Sequence, residues 1–201
     1  MNRYTARRMS AAAALLLVAG TLAGCTNDSL ADKYAASEEQ GYVAGDGSWQ
    51  EFAPGERAAP VAYGGTTSDG ATISSDELAG DVVVVNFWYA ACPPCRAEAE
   101  DLEKVHQKYA EQRVHFVGVN VYDQAETINS FNSEFGVTYP SIIDVNDAEV
   151  RLAFADNVPP QAIPSTLVLD REGRVAAVIR GVADPSVLGA MIDRVLEENA
   201  A

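Results

Sequence analysis

The chain has 201 residues, 48% of them apolar, and 14 Lys and Arg against 29 Asp and Glu, for a formal charge of −15. That length supports one substantial core. The charge excludes a nucleic-acid surface, which rests on clustered Lys and Arg, and favours a soluble monomer that repels anionic partners.

The charge is unevenly placed. Residues 1–24 hold Arg3, Arg7 and Arg8 and no acid, leaving 11 basic against 29 acidic residues from position 25 onward. After the basic start comes the apolar run Ala11–Ala19. It is too short to span about 30 Å of hydrocarbon, but it has the layout of a secretory signal. Leu22-Ala23-Gly24-Cys25 then resembles the bacterial lipobox, where a lipoprotein signal peptidase cuts before a lipid-bearing cysteine. Residues 1–24 are therefore expected to be a lipoprotein signal peptide and Cys25 the lipidation site. The expected location is the extracytoplasmic face of a cell membrane, towards a periplasm or cell-wall space. Arg7-Arg8 lacks the flanking residues that twin-arginine export would need.

From Thr26 to about Pro60 the chain is rich in Ala, Gly, Ser, Glu and Asp and has little apolar periodicity. It reads as a tether over residues 25–58, largely flexible, ahead of a folded domain over 59–201. Tyr34, Tyr42, Trp49 and Phe52 are the aromatic side chains in this stretch that can pack on the domain. Val61–Thr67 and Ala71–Ile73 flank Ser68-Asp69-Gly70, the pattern of a β-hairpin. One helical turn is expected over Ser75–Leu78. Val82–Trp88 is a continuous β-branched and aromatic run, as in a strand buried on both faces.

A helix is predicted from Pro93 to Ala110, with Leu102, Val105 and Tyr109 at helical spacing. A second buried strand is expected over Val114–Val121. A helix over Ala125–Phe135 follows, with Gly136 as its C-cap. Next come a short extended segment, Ser141–Ile143, and a short helix, Asp147–Phe154. Strands Ser165–Leu169 and Val175–Ile179 are joined by the turn Asp170–Gly173. Asp184-Pro185 opens a last helix that runs to about Glu198. This order describes a single α/β domain with a central mixed sheet flanked by helices.

With Cys25 set aside, two of the three cysteines remain. They lie in Trp88-Tyr89-Ala90-Ala91-Cys92-Pro93-Pro94-Cys95-Arg96, where a buried strand passes into a helix. Backbone N–H groups and the dipole at that helix start stabilise a thiolate on Cys92. Cys95, one turn in, is within disulfide reach. The layout predicts that Cys92 attacks a partner disulfide and Cys95 resolves the mixed disulfide. A purely structural bridge would gain little from so short a loop. A metal site would need more ligands than His106 and His115 add. Neither metal nor cofactor is expected. Pro93 and Pro94 have no N–H, so the nearby donor assured to Cys92 sulfur is Cys95 N–H. Weaker thiolate stabilisation implies a more reducing couple.

Asn86-Phe87-Trp88, Cys92-Pro93-Pro94-Cys95-Arg96-Ala97-Glu98 and Ile163-Pro164-Ser165-Thr166, the last followed by Leu167–Gly173, resemble the membrane-tethered thioredoxins of the TlpA/ResA family over roughly Ala59–Glu198. The resemblance implies a thioredoxin fold with an extra N-terminal β-hairpin and extracytoplasmic thiol–disulfide exchange. It further implies protein substrates with disulfides, apocytochrome c in cytochrome c maturation among them, and electrons drawn from a membrane thiol transporter. Pro164 matches the family's cis-proline, which places the Ile163 backbone beside the cysteines to meet a substrate strand. Glu98 matches an acid held near the pair and able to shuttle the Cys95 proton. Trp88 flanks the motif and is a candidate to cover the thiols and meet substrate, although an aromatic at the end of a core strand is more often packing. The chain departs from the pattern at Ala91, where thioredoxins commonly have Trp, and at Asn86, where cytosolic thioredoxins bury a proton-relaying Asp. Oxidase or isomerase activity is the alternative within the same chemistry. A thiol peroxidase would need a Thr just before Cys92, and a copper-binding assembly factor a wider cysteine spacing and a distant His.

Overall fold

The structure, a computed structural model, describes residues 48–159 and 161–198. Residues 1–24, Cys25, Tyr34 and Tyr42 lie outside the described residues. By its contacts the chain divides into two units, Met1–Ala36 and Ser37–Ala201, and every described residue belongs to the second.

Eight strands and four helices alternate along the described chain: β1 (Trp49–Glu51), β2 (Gly64–Thr66), β3 (Thr72–Ser74), β4 (Val82–Trp88), α1 (Pro93–Tyr109), β5 (Val114–Asn120), α2 (Ala125–Phe135), β6 (Ser141–Ile143), α3 (Glu149–Ala153), β7 (Ser165–Leu169), β8 (Val175–Arg180) and α4 (Pro185–Glu197). A six-stranded sheet runs in the order β1-β8-β7-β4-β5-β6, and β2 and β3 form a separate hairpin. β4 pairs parallel with β5 and antiparallel with β7, so the sheet is mixed.

Every residue of β4 is buried, which is why its sequence is apolar without alternation. Its two faces meet different partners. Asn86 bonds to Glu98 on α1 and Trp88 stacks on Phe131 of α2, with ring centroids 4.4 Å apart. On the opposite face Phe87 meets Phe154, which in turn meets Tyr63. The strand's period of two thus sorts the site's residues onto the α1 face. Gly118, opposite Asn86, allows this packing: a Cβ there would lie 2.8 Å from Trp88 Nε1 and 2.2 Å from Ser141 Oγ.

The expected caps are present. Asp184 accepts from Ser186 N and Val187 N at the start of α4. Gly136, with φ of 70°, ends α2. The hairpin turn carries Gly70 at φ 87°, and Asp69 accepts from Thr67 Oγ1 and Ala71 N. The first hairpin strand is shorter than the expected Val61–Thr67, and the second has the expected three residues shifted by one from Ala71–Ile73.

The main departure is at the N-terminal end. The expected tether over 25–58 is not loose throughout, because β1 pairs antiparallel with β8, Trp49 opposite Ile179 and Glu51 opposite Ala177. Arg57 then places its guanidinium 2.9 Å from Asp170 and 2.6 Å from Glu198, with side chains of Arg57 and Asp170 only 2% and 3% exposed. The ordered domain therefore begins at least ten residues before Ala59, by Trp49. Asp170 also accepts from Arg174 Nε at 2.9 Å, so the Arg57 pair belongs to a small charged network that ties this segment to the β7–β8 turn. Among the described residues no helix is long and apolar enough to cross a membrane.

Candidate active site

β4 delivers the chain to Cys92, the N-cap of α1, with Pro93 and Pro94 at its first positions. Cys92 N donates to Tyr89 O at 3.2 Å, which closes a turn, and Arg96 N donates to Cys92 O at 3.1 Å, which opens the helix. Cys92 and Cys95 form a disulfide with Cα atoms 5.3 Å apart. Cys92 Sγ also accepts from Cys95 N at 3.2 Å, the donor expected once the prolines are discounted. Both residues are buried, at 0% and 3% exposure. Burial therefore does not rank the sulfurs, and their difference lies in position, at the helix cap and inside the first turn.

Glu98 stands apart from the neighbouring acids of α1. It is 1% exposed, whereas Glu100 is exposed and Asp101 and Glu103 are half-buried. Its Oε1 accepts from Asn86 Nδ2 at 3.0 Å and its Oε2 from Ala183 N at 2.8 Å. Asn86 Nδ2 also donates to Thr166 Oγ1 of β7, at 3.1 Å. Burial pushes the Glu98 carboxyl up to about 7, against the pull of the Ala183 and Asn86 hydrogen bonds. The buried carboxyl thus comes from α1, and Asn86, which carries no acid of its own, is its hydrogen-bond donor. A small cavity lined by Asn86, Trp88, Cys95, Ala99 and Tyr139 joins this network to the disulfide.

The Ile163–Pro164 peptide is cis. Pro164 directly precedes β7, whose Ser165 pairs with Phe87 near the end of β4, so Ile163, Pro164 and the cysteines share one pole of the sheet. Pro164 O accepts from Gly181 N at 2.8 Å. Trp88 does not match its expected role as a cover. It is 4% exposed, packs on Phe131 and lines the cavity below Cys95, so it presents no surface to a substrate.

Other neighbours carried no recognisable motif. Asp123 accepts from Ala90 N at 2.6 Å. Tyr89 and Tyr122 meet edge to face, with centroids 4.9 Å apart. Arg96, the cation nearest Cys92 in sequence, is paired with Glu134 at 2.7 Å and lies 4.7 Å over the Phe135 ring. The only available signal for Asp123 was its place just after a buried strand that parallels β4. His115 pairs with Asp81 beyond the far end of β4, and His106 stacks between Phe116 and Tyr139. Among the described residues no three His, Cys, Asp or Glu are grouped to hold a metal ion.

A family profile described as Redoxin matches residues 53–192. The thiol-disulfide oxidoreductase ResA of Halalkalibacterium halodurans is 31% identical over 56% of this chain, and the match spans 61% of that relative's length. A DsbF homologue from Corynebacterium diphtheriae is 31% identical, covering 75% of this chain and 94% of that one, with a TM-score of 0.66. A secreted thiol-disulfide isomerase from Corynebacterium glutamicum is 26% identical over 76% of this chain and 94% of its own, with a TM-score of 0.70. With a disulfide at the head of α1, Pro164 at the same pole and a profile match across most of the domain, the chain belongs to the Redoxin family, among its TlpA/ResA-like thioredoxin-fold members.

Proposed function

We propose that the protein is a lipid-anchored, extracytoplasmic thiol–disulfide oxidoreductase that reduces disulfides in partner proteins. The observation that carries this is the Cys92–Cys95 disulfide at a helix N-terminus with a buried carboxyl, Glu98, behind it. In the reductive direction Cys92 thiolate attacks a partner disulfide and displaces one partner sulfur as thiolate, giving a mixed disulfide. Cys95, having passed its proton towards Glu98, attacks Cys92 sulfur, releases the second partner thiolate and closes the Cys92–Cys95 bond. Two electrons pass from dithiol to partner, and a membrane thiol transporter restores the dithiol. Ile163 and Pro164 offer the adjoining backbone to a substrate strand. Apocytochrome c awaiting haem attachment is the substrate class suggested by the family resemblance.

The reductase direction rests on the helix start. Pro93 and Pro94 remove two N–H donors, and Arg96 is already engaged by Glu134 and Phe135. The couple is expected at roughly −270 to −220 mV, near thioredoxin and far from the oxidant end at about −120 mV. Equilibration of the purified protein against glutathione buffers measures it. A midpoint above about −180 mV would replace the reductase reading with the oxidase or isomerase alternative.

Anchoring has its own test. With Cys25→Ala, most of the protein should move from the membrane fraction to the medium or periplasm, because no acyl chains remain to hold it. Retention in the membrane by that variant would remove the lipid from the proposal.

A further inference from the structure

The segment that presents Cys92 has little of its own to hold it. Ala90 and Ala91 bring no side chain beyond a methyl, yet Ala91 is exposed and Cys92 fully buried. The support comes from other elements, at the Ala90 peptide. Its N–H donates to Asp123 Oδ2 at 2.6 Å, and its carbonyl accepts from Arg96 Nη1 at 3.4 Å. Asp123 is itself fixed. The same Oδ2 accepts from Asn120 Nδ2 at 3.0 Å, while Asn120 Oδ1 accepts from Tyr122 N and Asp123 N at 3.1 and 2.7 Å. Asn120 ends β5 directly opposite Trp88 and is completely buried.

An Asp one residue ahead of a helix N-cap often serves that helix. Here it does not: the N-cap of α2 is Gln124, which makes no side-chain cap bond, and the Asp123 carboxylate accepts from Ala90 and Asn120. A carboxylate accepting a backbone N–H makes a short, charge-assisted bond, stronger than a neutral acceptor provides.

We propose that Asp123 is a positioning residue for the dithiol, on the thiol-exchange reading given above. By holding the Ala90 peptide it fixes the Tyr89–Cys92 turn, and that turn keeps Cys92 Sγ at the α1 cap, where Cys95 N reaches it. Arg96 secures the Ala90 carbonyl, in the next peptide unit. Asp123 touches neither sulfur nor substrate in this role. It acts by geometry, through its acceptor oxygen, and its charge alone has the opposite influence: a nearby anion disfavours the Cys92 thiolate.

That opposition makes the proposal testable in the reduced, full-length protein. Asp123→Asn keeps an acceptor oxygen and removes the charge, whereas Asp123→Ala removes both. The apparent pKa of Cys92 is read from the pH dependence of iodoacetamide alkylation, with peptide mapping. Asp123→Ala should raise it by about 0.5 pH unit as Cys92 drifts from the helix cap. Asp123→Asn should leave it unchanged or lower it. If the alanine variant fails to fold, Asp123→Ser, whose hydroxyl is too short to span to Ala90, takes its place. Equal falls in both variants would reduce Asp123 to a charge effect, and an unmoved alanine variant would leave it without a role at the thiol; either result overturns the positioning role. Exchange of the wild-type dithiol with glutathione disulfide is the parallel control. Its absence defeats the oxidoreductase reading itself, while normal exchange with unmoved variants defeats only the positioning role.

Discussion

Cys95→Ser is expected to stop turnover, lowering disulfide reduction by at least about 10³-fold, while leaving the first chemical step intact. The variant should accumulate as a mixed disulfide through Cys92, visible as a higher-mass species on non-reducing gels and lost with dithiothreitol. Cys92→Ser should be equally inactive but form no such species. The asymmetry follows from the helix start. Cys92 is the N-cap, its sulfur accepting from Cys95 N and lying where the dipole favours a thiolate. Cys95 sits inside the first turn with its backbone N–H already committed to its partner. Because both residues are buried in the disulfide form, the prediction rests on this difference in electrostatic setting and not on exposure. A trapped species in Cys92→Ser and none in Cys95→Ser would reverse the two roles. The trapped partner, identified from the membrane fraction, names the substrate directly.

Glu98→Gln should produce the second large effect, and a pH dependence identifies it. With its carboxyl pushed up to about 7 by burial, Glu98 exchanges protons readily near neutrality. The variant should exchange disulfides about 100-fold more slowly at pH 7, the lower end of general acid–base contributions. The limb of the wild-type rate profile near pH 7 should vanish with it. Stability supplies an independent reading. The folded protein keeps this proton between about pH 4.5, where the unfolded chain loses it, and about 7. Over that window the folded state binds more protons, so stability falls as pH rises, by up to about 3 kcal/mol once past it. Urea unfolding at pH 5 and pH 8 should show this slope in the wild type and lose it in Glu98→Gln. The glutamine is isosteric but turns an amide N–H₂ towards one of two donors, Asn86 Nδ2 or Ala183 N, so some general loss of stability is expected at both pH values. An unchanged slope would show that Glu98 is not the titrating group.

The parts of the molecule that were legible in the sequence are those whose signal is local. β4 announces itself by six apolar or aromatic positions with a single amide among them, and α4 by Asp-Pro at its head. The cysteine pair stands out because its spacing falls at a strand-to-helix junction. Glu98 is different. Four acids crowd six positions of α1, and only the packing of α1 on Asn86 and on the loop at Ala183 separates the buried one from the solvated ones. Trp88 is ambiguous for the same reason, since an aromatic beside a motif suits a cover as well as a core, and Phe131 decides for the core. Asp123 left no trace beyond its place after a buried strand, because its partner is a backbone N–H 33 residues away. β1 was illegible in another sense. Trp49-Gln50-Glu51 has no strand pattern of its own, and its extended form is imposed by the unpaired edge of β8.

That small strand has a consequence for association. A sheet of this kind ends in two edges, and each exposes a ladder of N–H and C=O groups that can recruit another chain. β8, reading Val-Ala-Ala-Val-Ile-Arg, would be an inviting edge: extended, apolar and almost wholly without charge. β1 occupies it, and Arg57 fastens the segment that follows by a buried ion pair to Asp170. At the opposite edge the β2–β3 hairpin meets β6 through the Thr67–Ile142 bridge and the bond from Ser68 N to Ser141 O. The residues ahead of the central sheet thus act as guards against edge-to-edge aggregation. A soluble fragment cut at Ala59, where the composition changes, would discard one guard and leave Asp170 with Arg174 but without Arg57. A fragment that begins before Ser48 retains both.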